Sequence, residues 1–264
     1  MSRPSDVIGR QSNLGTLEQH CALRLSVASS GGQNGQVTHP PPLGSTLSQI
    51  GEIQIPLPAP VAMFLGILTF VAVLGPMLWK VAVHVNTIAH EAAHALVGLG
   101  AGRSIRSVKI NPDGGGATAI LPDRGFGFGV AVFAGYLGPS AAGLIAAWLI
   151  STGRMVAVLW LGLLLLAVLL LMVRNSFGAI AILVCGALLY LTVRRTTAGV
   201  ETAVAYGVAW FLLLSGPKKV LSAPIKSQDA KILAEMSPLW AWVWYYLWLL
   251  GTIAALLAGG AMLV

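Results

Sequence analysis

The sequence predicts an all-α polytopic membrane protein, with about six to seven transmembrane helices and one short β-hairpin-like loop. Three observations predict it. Hydrophobic residues make up 56% of the 264-residue chain, charged residues only 9%, and the mean hydropathy is +0.80, outside the range of soluble globular domains. After residue 57 the apolar residues come in stretches of roughly 18 or more, the length that crosses a hydrocarbon core of about 30 Å. Between these stretches polar residues gather in brief segments. The formal charge of +7 does not point to nucleic acid: its basic residues are scattered through short loops, with no stripe and no interleaved aromatics. A positive-inside bias accounts for them. Cys21 and Cys185 fall in a polar tail and an apolar span, which excludes a disulfide framework or a paired-cysteine metal site.

Residues 1–57 differ from everything after them. They include SSGGQNGQ and HPPPLGS and lack sustained apolar periodicity, so a disordered tail is expected there and a transmembrane domain over residues 58–264. No apolar core follows the first basic residue, so a secretory signal is not expected. His20 and His39 lie in this tail and read as solvent-exposed.

From Leu57 to Gly100 the chain is almost continuously apolar, about twice the length one crossing needs. Two antiparallel spans, about 59–79 and 82–100, are expected to meet near Lys80, with Pro76 near the end of the first. The second carries His90-Glu91-Ala92-Ala93-His94. Residues four apart in a helix lie about 40° apart around the axis, so the two imidazoles project from one face and can grip one zinc ion. Glu91, about 100° round from His90, can reach a water at that metal and act as general base. This is the HExxH signature of zinc metalloproteases, and chance would produce it only about twice in a thousand chains of this composition. A hydrogen-bonded polar face is the alternative, but the helix is otherwise Ala, Val, Leu and Ile, and ionisable residues in such a span need a partner. His84 lies about 120° from the His90 face and is not expected to be a ligand.

The next polar segment, residues 102–124, reads as a β-hairpin: SIRSVKI alternates loosely, NPDGGG is a turn signal, and ATAIL is a second extended run. It is either a connector or an edge that pairs with an extended substrate. Asp113 sits in its turn, where Asp usually serves backbone geometry. The span at about 125–150 has a small-residue face with Gly135, Gly138 and Gly143, and Pro139 is expected to kink or break it. Tyr136 could turn its hydroxyl into the bundle, although an interfacial position is the commoner one. Three further spans follow at about 155–173, 177–193 and 198–215. Asn175, between two of them, is a conceivable oxyanion donor, but an Asn at a helix start is usually a cap. Residues 216–238 break the apolar pattern, and a last span opens with a Trp and Tyr cluster expected to mark a membrane interface.

With seven spans, the loops at 101–125, 174–176 and 216–238 share one side. That side carries Arg103, Arg106, Lys109, Arg124, Arg174, Lys218, Lys219, Lys226 and Lys231, against Lys80, Arg154, Arg194 and Arg195 on the other. The excess predicts that the first side, with the N-terminus, is cytoplasmic. A catalytic zinc usually takes three protein ligands and leaves one position open. After the tail the remaining acids are Asp113, Asp123, Glu201, Asp229 and Glu235. Asp229 is favoured as third ligand, because it opens an apolar segment on the side where the motif helix ends; Glu201 falls on the opposite side.

HEAAH in an apolar helix, followed by NPDGGGATAI at 111–120, AGYLGPS at 134–140, RNSFG at 174–178 and SQDA at 227–230, resembles the site-2-protease-like intramembrane zinc metalloproteases, specifically the small bacterial branch without a PDZ domain. The resemblance covers about residues 80–250. It implies zinc held by His90, His94 and Asp229, water activation by Glu91, cleavage of membrane-embedded or membrane-proximal protein substrates, and a place in a bacterial plasma membrane. Members commonly have Gly directly after the distal Asp, where this chain has Ala230. The expected reaction is zinc-assisted peptide hydrolysis within or at the edge of the bilayer. The rival reading is a catalytically inactive metal-binding scaffold or a small transporter, which would spread ionisable residues over several helices.

Overall fold

The computed structural model describes residues 53–225 and 227–264; residues 1–52, most of the expected tail, lie outside the described residues. The chain enters through an extended segment fixed at two points. Gln54 N donates to Gly153 O at 2.8 Å, and Leu57 N donates to the Tyr206 hydroxyl at 3.2 Å.

Helix α1 (Ala59–Leu74) and helix α2 (Pro76–Gly100) are bent by 100° at Gly75. This corrects the expected antiparallel pair turning near Lys80, which lies exposed inside α2. Pro76 sets the break: it has no N–H to give to the preceding turn, and it suits the first position of a new helix. Lys80 needs no turn, because its stem can lie along the helix with the ammonium outside.

Strand β1 (Ser104–Ile110) and strand β2 (Gly116–Leu121) form the expected hairpin, antiparallel from Ser104 opposite Leu121 to Ile110 opposite Gly116. Its turn closes on Asn111 N to Gly115 O at 2.9 Å, with Gly114 at φ +81, a conformation that glycine adopts freely. Asp113 Oδ1 accepts from Gly115 N at 2.8 Å, the local role expected of it.

Helices α3 (Phe126–Ser151), α4 (Met155–Met172), α5 (Ser176–Arg195), α6 (Ala198–Ser222) and α8 (Ala241–Leu263) are each long and apolar enough to cross a membrane; counting the α1–α2 pair as one bent span gives up to six. The protein is an all-α polytopic membrane protein with one small sheet. Short α7 (Gln228–Met236) precedes α8. Helix α3 continues through Pro139 rather than breaking there, since neighbouring helices support a proline in a membrane span. One expectation is corrected. Helix α6 continues to Ser222, so Gly216, Pro217, Lys218 and Lys219 are helical rather than loop.

Helix α3 is central. Gly138 lets it approach Ala93 of α2, and Gly143 lets it approach Leu213 of α6; a Cβ at either would overlap its neighbour. Large apolar side chains such as Phe64, Leu164, Ile180 and Leu250 face outward, as lipid contact requires. The aromatic cluster of α8 divides. Trp240, Trp242 and Tyr246 are exposed, whereas Trp248 is buried and donates its indole N–H to Phe133 O at 2.8 Å. The hairpin, the α4–α5 junction and the C-terminal end of α6 meet at one end of the bundle, through Asn175 on Ile110 and Lys219 on Gly114.

Candidate metal centre

Helix α2 presents His90 and His94 one turn apart, as their spacing dictates, at 8% and 6% exposure. Helix α7 supplies the third donor. Its start is capped by Ser227 Oγ, which accepts from Ala230 N at 3.4 Å, and this places Asp229 in the first turn, facing α2. Asp229 Oδ2 lies 3.3 Å from His90 Nε2 and 3.6 Å from His94 Nε2, while the two Nε2 atoms are 3.1 Å apart. Two imidazole nitrogens and a carboxylate oxygen at such separations need a proton or a cation among them. Ligands about 2 Å from one tetrahedral ion stand about 3.3 Å from each other, so the spacing fits one metal. The burial fits too, because it removes the water that would otherwise solvate these groups.

The outer contacts suit ligands. His94 Nδ1 is 2.8 Å from Ala131 O; a carbonyl only accepts, so Nδ1 carries the hydrogen and Nε2 is left with a lone pair. The edge of the His90 ring meets Tyr136 with centroids 4.8 Å apart, and Tyr136 packs on Trp248 at 4.5 Å. Tyr136 is thus buried behind the site rather than interfacial. Gly135 lies beneath both imidazoles, where a Cβ would overlap the His94 ring. Burial raises the Asp229 carboxyl, but when His90 and His94 are protonated their hydrogen bonds and charge outweigh it and hold it well below the usual carboxylate range, the direction in which a cation bound among the three would also act. The Ala230 methyl is fully buried in a cluster with Ile120, Phe128 and Trp248, so Ala in place of Gly is accommodated beside Asp229.

Glu91 is 2% exposed and accepts a 2.6 Å hydrogen bond from the Thr118 hydroxyl of β2. Gly116 permits this closeness, since a Cβ there would overlap the carboxylate. Glu91, His90, His94 and Asp229 line one cavity of about 250 Å³, bounded by the Gly115-Gly116-Ala117 edge of the hairpin and by Thr87, Tyr136 and Lys219. The volume admits part of a peptide but not a folded chain.

The other candidates lie elsewhere. Asp123 and Glu235 are exposed, and Glu201 lies in the first turn of α6, at the far end of that helix from Lys219. His84 bonds Pro112 O at 3.2 Å and packs on Phe177. Asn175 is the N-cap residue of α5, as expected, but its side chain makes no capping bond and does not line the cavity. Its side chain pairs with the backbone of Ile110, donating to O at 2.6 Å and accepting from N at 3.2 Å. Sequence reasoning missed Thr118 and Lys219. A polar residue in an extended run, and a Gly-Pro-Lys-Lys stretch read as loop, gave no sign of facing a cavity.

Comparisons with curated proteins and with solved structures return no match. Residues 63–259 match a family model described as Peptidase M50B-like, a stretch that contains α2, the hairpin and Asp229 and covers well over half of the chain. Its apolar helices mark it as an integral membrane protein, and the chain belongs to the Peptidase M50B-like family, whose members are typically metalloproteases.

Proposed function

We propose that this protein is a site-2-protease-like zinc endopeptidase that cleaves membrane-embedded or membrane-proximal protein substrates in a bacterial plasma membrane. The carrying observation is the convergence of His90 Nε2, His94 Nε2 and Asp229 Oδ2 beside the buried Glu91 carboxylate. Two imidazoles and one carboxylate are the donor set of hydrolytic zinc sites, which usually keep a fourth position for water, and all three side chains line the cavity. Zinc held there would polarise the scissile carbonyl and make water a stronger acid.

The chain's own residues supply the rest. Glu91 accepts a proton from the attacking water as its oxygen bonds the amide carbon, then passes that proton to the leaving nitrogen. Thr118 orients Glu91 through its 2.6 Å hydrogen bond. The β2 edge beside Glu91 offers backbone groups on which an extended substrate can pair as a strand. The basic loops at the hairpin end of the bundle favour a cytoplasmic position for that end.

The test is metal content of detergent-purified protein, parent against His90→Ala, His94→Ala and Asp229→Ala. About one zinc per chain is expected, lost in all three variants. Glu91→Gln should keep zinc and abolish hydrolysis. Zinc indifferent to His90 and His94 would sink the reading, and full cellular function of Glu91→Gln would favour a scaffold.

A further inference from the structure

We propose that Lys219 is a catalytic residue of this site, its ammonium group stabilising the negative charge that develops on the scissile carbonyl oxygen; the proposal rests on the hydrolase reading above. Lys219 stands near the C-terminal end of α6 and lines the cavity that holds His90, Glu91, His94 and Asp229. Its Nζ donates to Gly114 O at 3.1 Å and reaches Thr87 Oγ1 at 3.5 Å. An ammonium has three N–H donors, so one remains for the cavity. Among the described residues, no carboxylate lies within ion-pair distance of it. A half-buried cation with no paired anion is costly to keep in an apolar bundle, and its placement in a catalytic cavity gives that cost a purpose.

Its position matches where charge moves. Thr87 and Glu91 are four apart on α2 and share a face, so Lys219, next to Thr87, sits on the Glu91 side of the cavity. When Glu91 takes the proton from water, the O–H bond breaks, the new C–O bond forms, and the carbonyl π electrons move to oxygen. The negative charge thereby passes from Glu91 to the substrate oxygen. Lys219 lines the same cavity as Glu91, so its remaining N–H is available to the oxygen on which that charge arrives. Gly114 O and Thr87 hold the ammonium in place: Thr87 Oγ1 itself donates to Gly114 O at 2.7 Å, which ties α2, the hairpin turn and α6 into one frame.

The experiment uses zinc-loaded full-length protein in detergent and a phosphonamidate dipeptide, whose anionic tetrahedral oxygens mimic the addition intermediate. Its affinity is measured by calorimetry for parent, Lys219→Met and Lys219→Arg, alongside zinc content and melting temperature. Lys219→Met should bind roughly a hundredfold more weakly with zinc retained, and Lys219→Arg should recover most of the loss. Equal affinity of parent and Lys219→Met overturns the proposal while leaving the hydrolase reading intact. So does a loss that Arg fails to recover or that tracks lost zinc or lowered melting temperature, since the residue would then be structural. A parent protein that holds no zinc overturns both.

Discussion

Thr118 and Glu91 join the hairpin to the motif helix: the threonine hydroxyl donates to Glu91 Oε2 at 2.6 Å, across 27 residues of sequence. The carboxylate is otherwise packed against Gly116 and is 2% exposed. Its orientation therefore depends on a strand that contributes no metal donor. In this cavity the Glu91 carboxylate is held by β2, while His90, His94 and Asp229 come from α2 and α7.

Replacing Thr118 with Val keeps the shape and removes the donor. A hydrogen bond to a charged group contributes about 1.5–3 kcal/mol, so hydrolysis should fall roughly 10- to 100-fold while zinc content stays at the parent level. Thr118→Ser should retain most activity. Loss of zinc in Thr118→Val would show that the strand holds the metal site itself and not the base.

Gly135→Ala tests the packing under the imidazoles. The added methyl would overlap the His94 ring and crowd His90 Cε1 at 3.0 Å, so both ligands must move. Zinc affinity should drop by about tenfold or more, the scale seen when the surroundings of metal ligands are disturbed. Gly207→Ala, with nothing within 4 Å of the new Cβ, is the control. Equal zinc affinity in the two variants would refute the geometric argument.

The parts of the site that were legible in the sequence are those set by local spacing. His90, Glu91 and His94 follow from helix periodicity alone, and Asp229 from donor type and from the side on which its segment begins. The hairpin was legible because NPDGGG is a turn of strong local preference. What escaped was decided by packing between distant segments. Lys80 marks polarity but does not turn the chain, whereas Pro76 does so by lacking a donor. Trp248 and Tyr136 look interfacial by composition and are buried because α3 and α8 close over them. Lys219 looks like part of a polar loop because apolar periodicity ends before it. Yet Gly216 lets α6 pass against Ser140, where a Cβ would overlap that hydroxyl, and the helix runs on with its basic residues near the favourable C-terminal end of the dipole.

Asn175→Ala separates a structural role from a catalytic one. It removes both bonds to Ile110, at 2.6 and 3.2 Å, and should cost about 1–3 kcal/mol, read as a lower melting temperature and faster proteolysis within residues 104–121. Asn175→Asp should be worse, since it sets a carboxylate oxygen against Ile110 O. Zinc content should be unchanged in both. A fall in turnover without any loss of stability would instead place Asn175 on the reaction path.

Ala230→Gly addresses the one position where this chain departs from the pattern of the proteases it resembles. Ala230 follows Asp229 in the first turn of α7, and its methyl is fully buried against the cluster around Phe128 and Trp248. Removing it gives up one buried methyl and adds backbone freedom to a helix of nine residues, a combined cost of about 1–2 kcal/mol. The melting temperature should therefore fall by a few degrees. Asp229 stays where the Ser227 cap and the two imidazoles hold it, so zinc affinity should remain within about threefold of the parent, less than the effect of disturbing a ligand's surroundings. A tighter zinc site in Ala230→Gly would show that the methyl strains Asp229, and a lost site would show that α7 needs it to fold against α3.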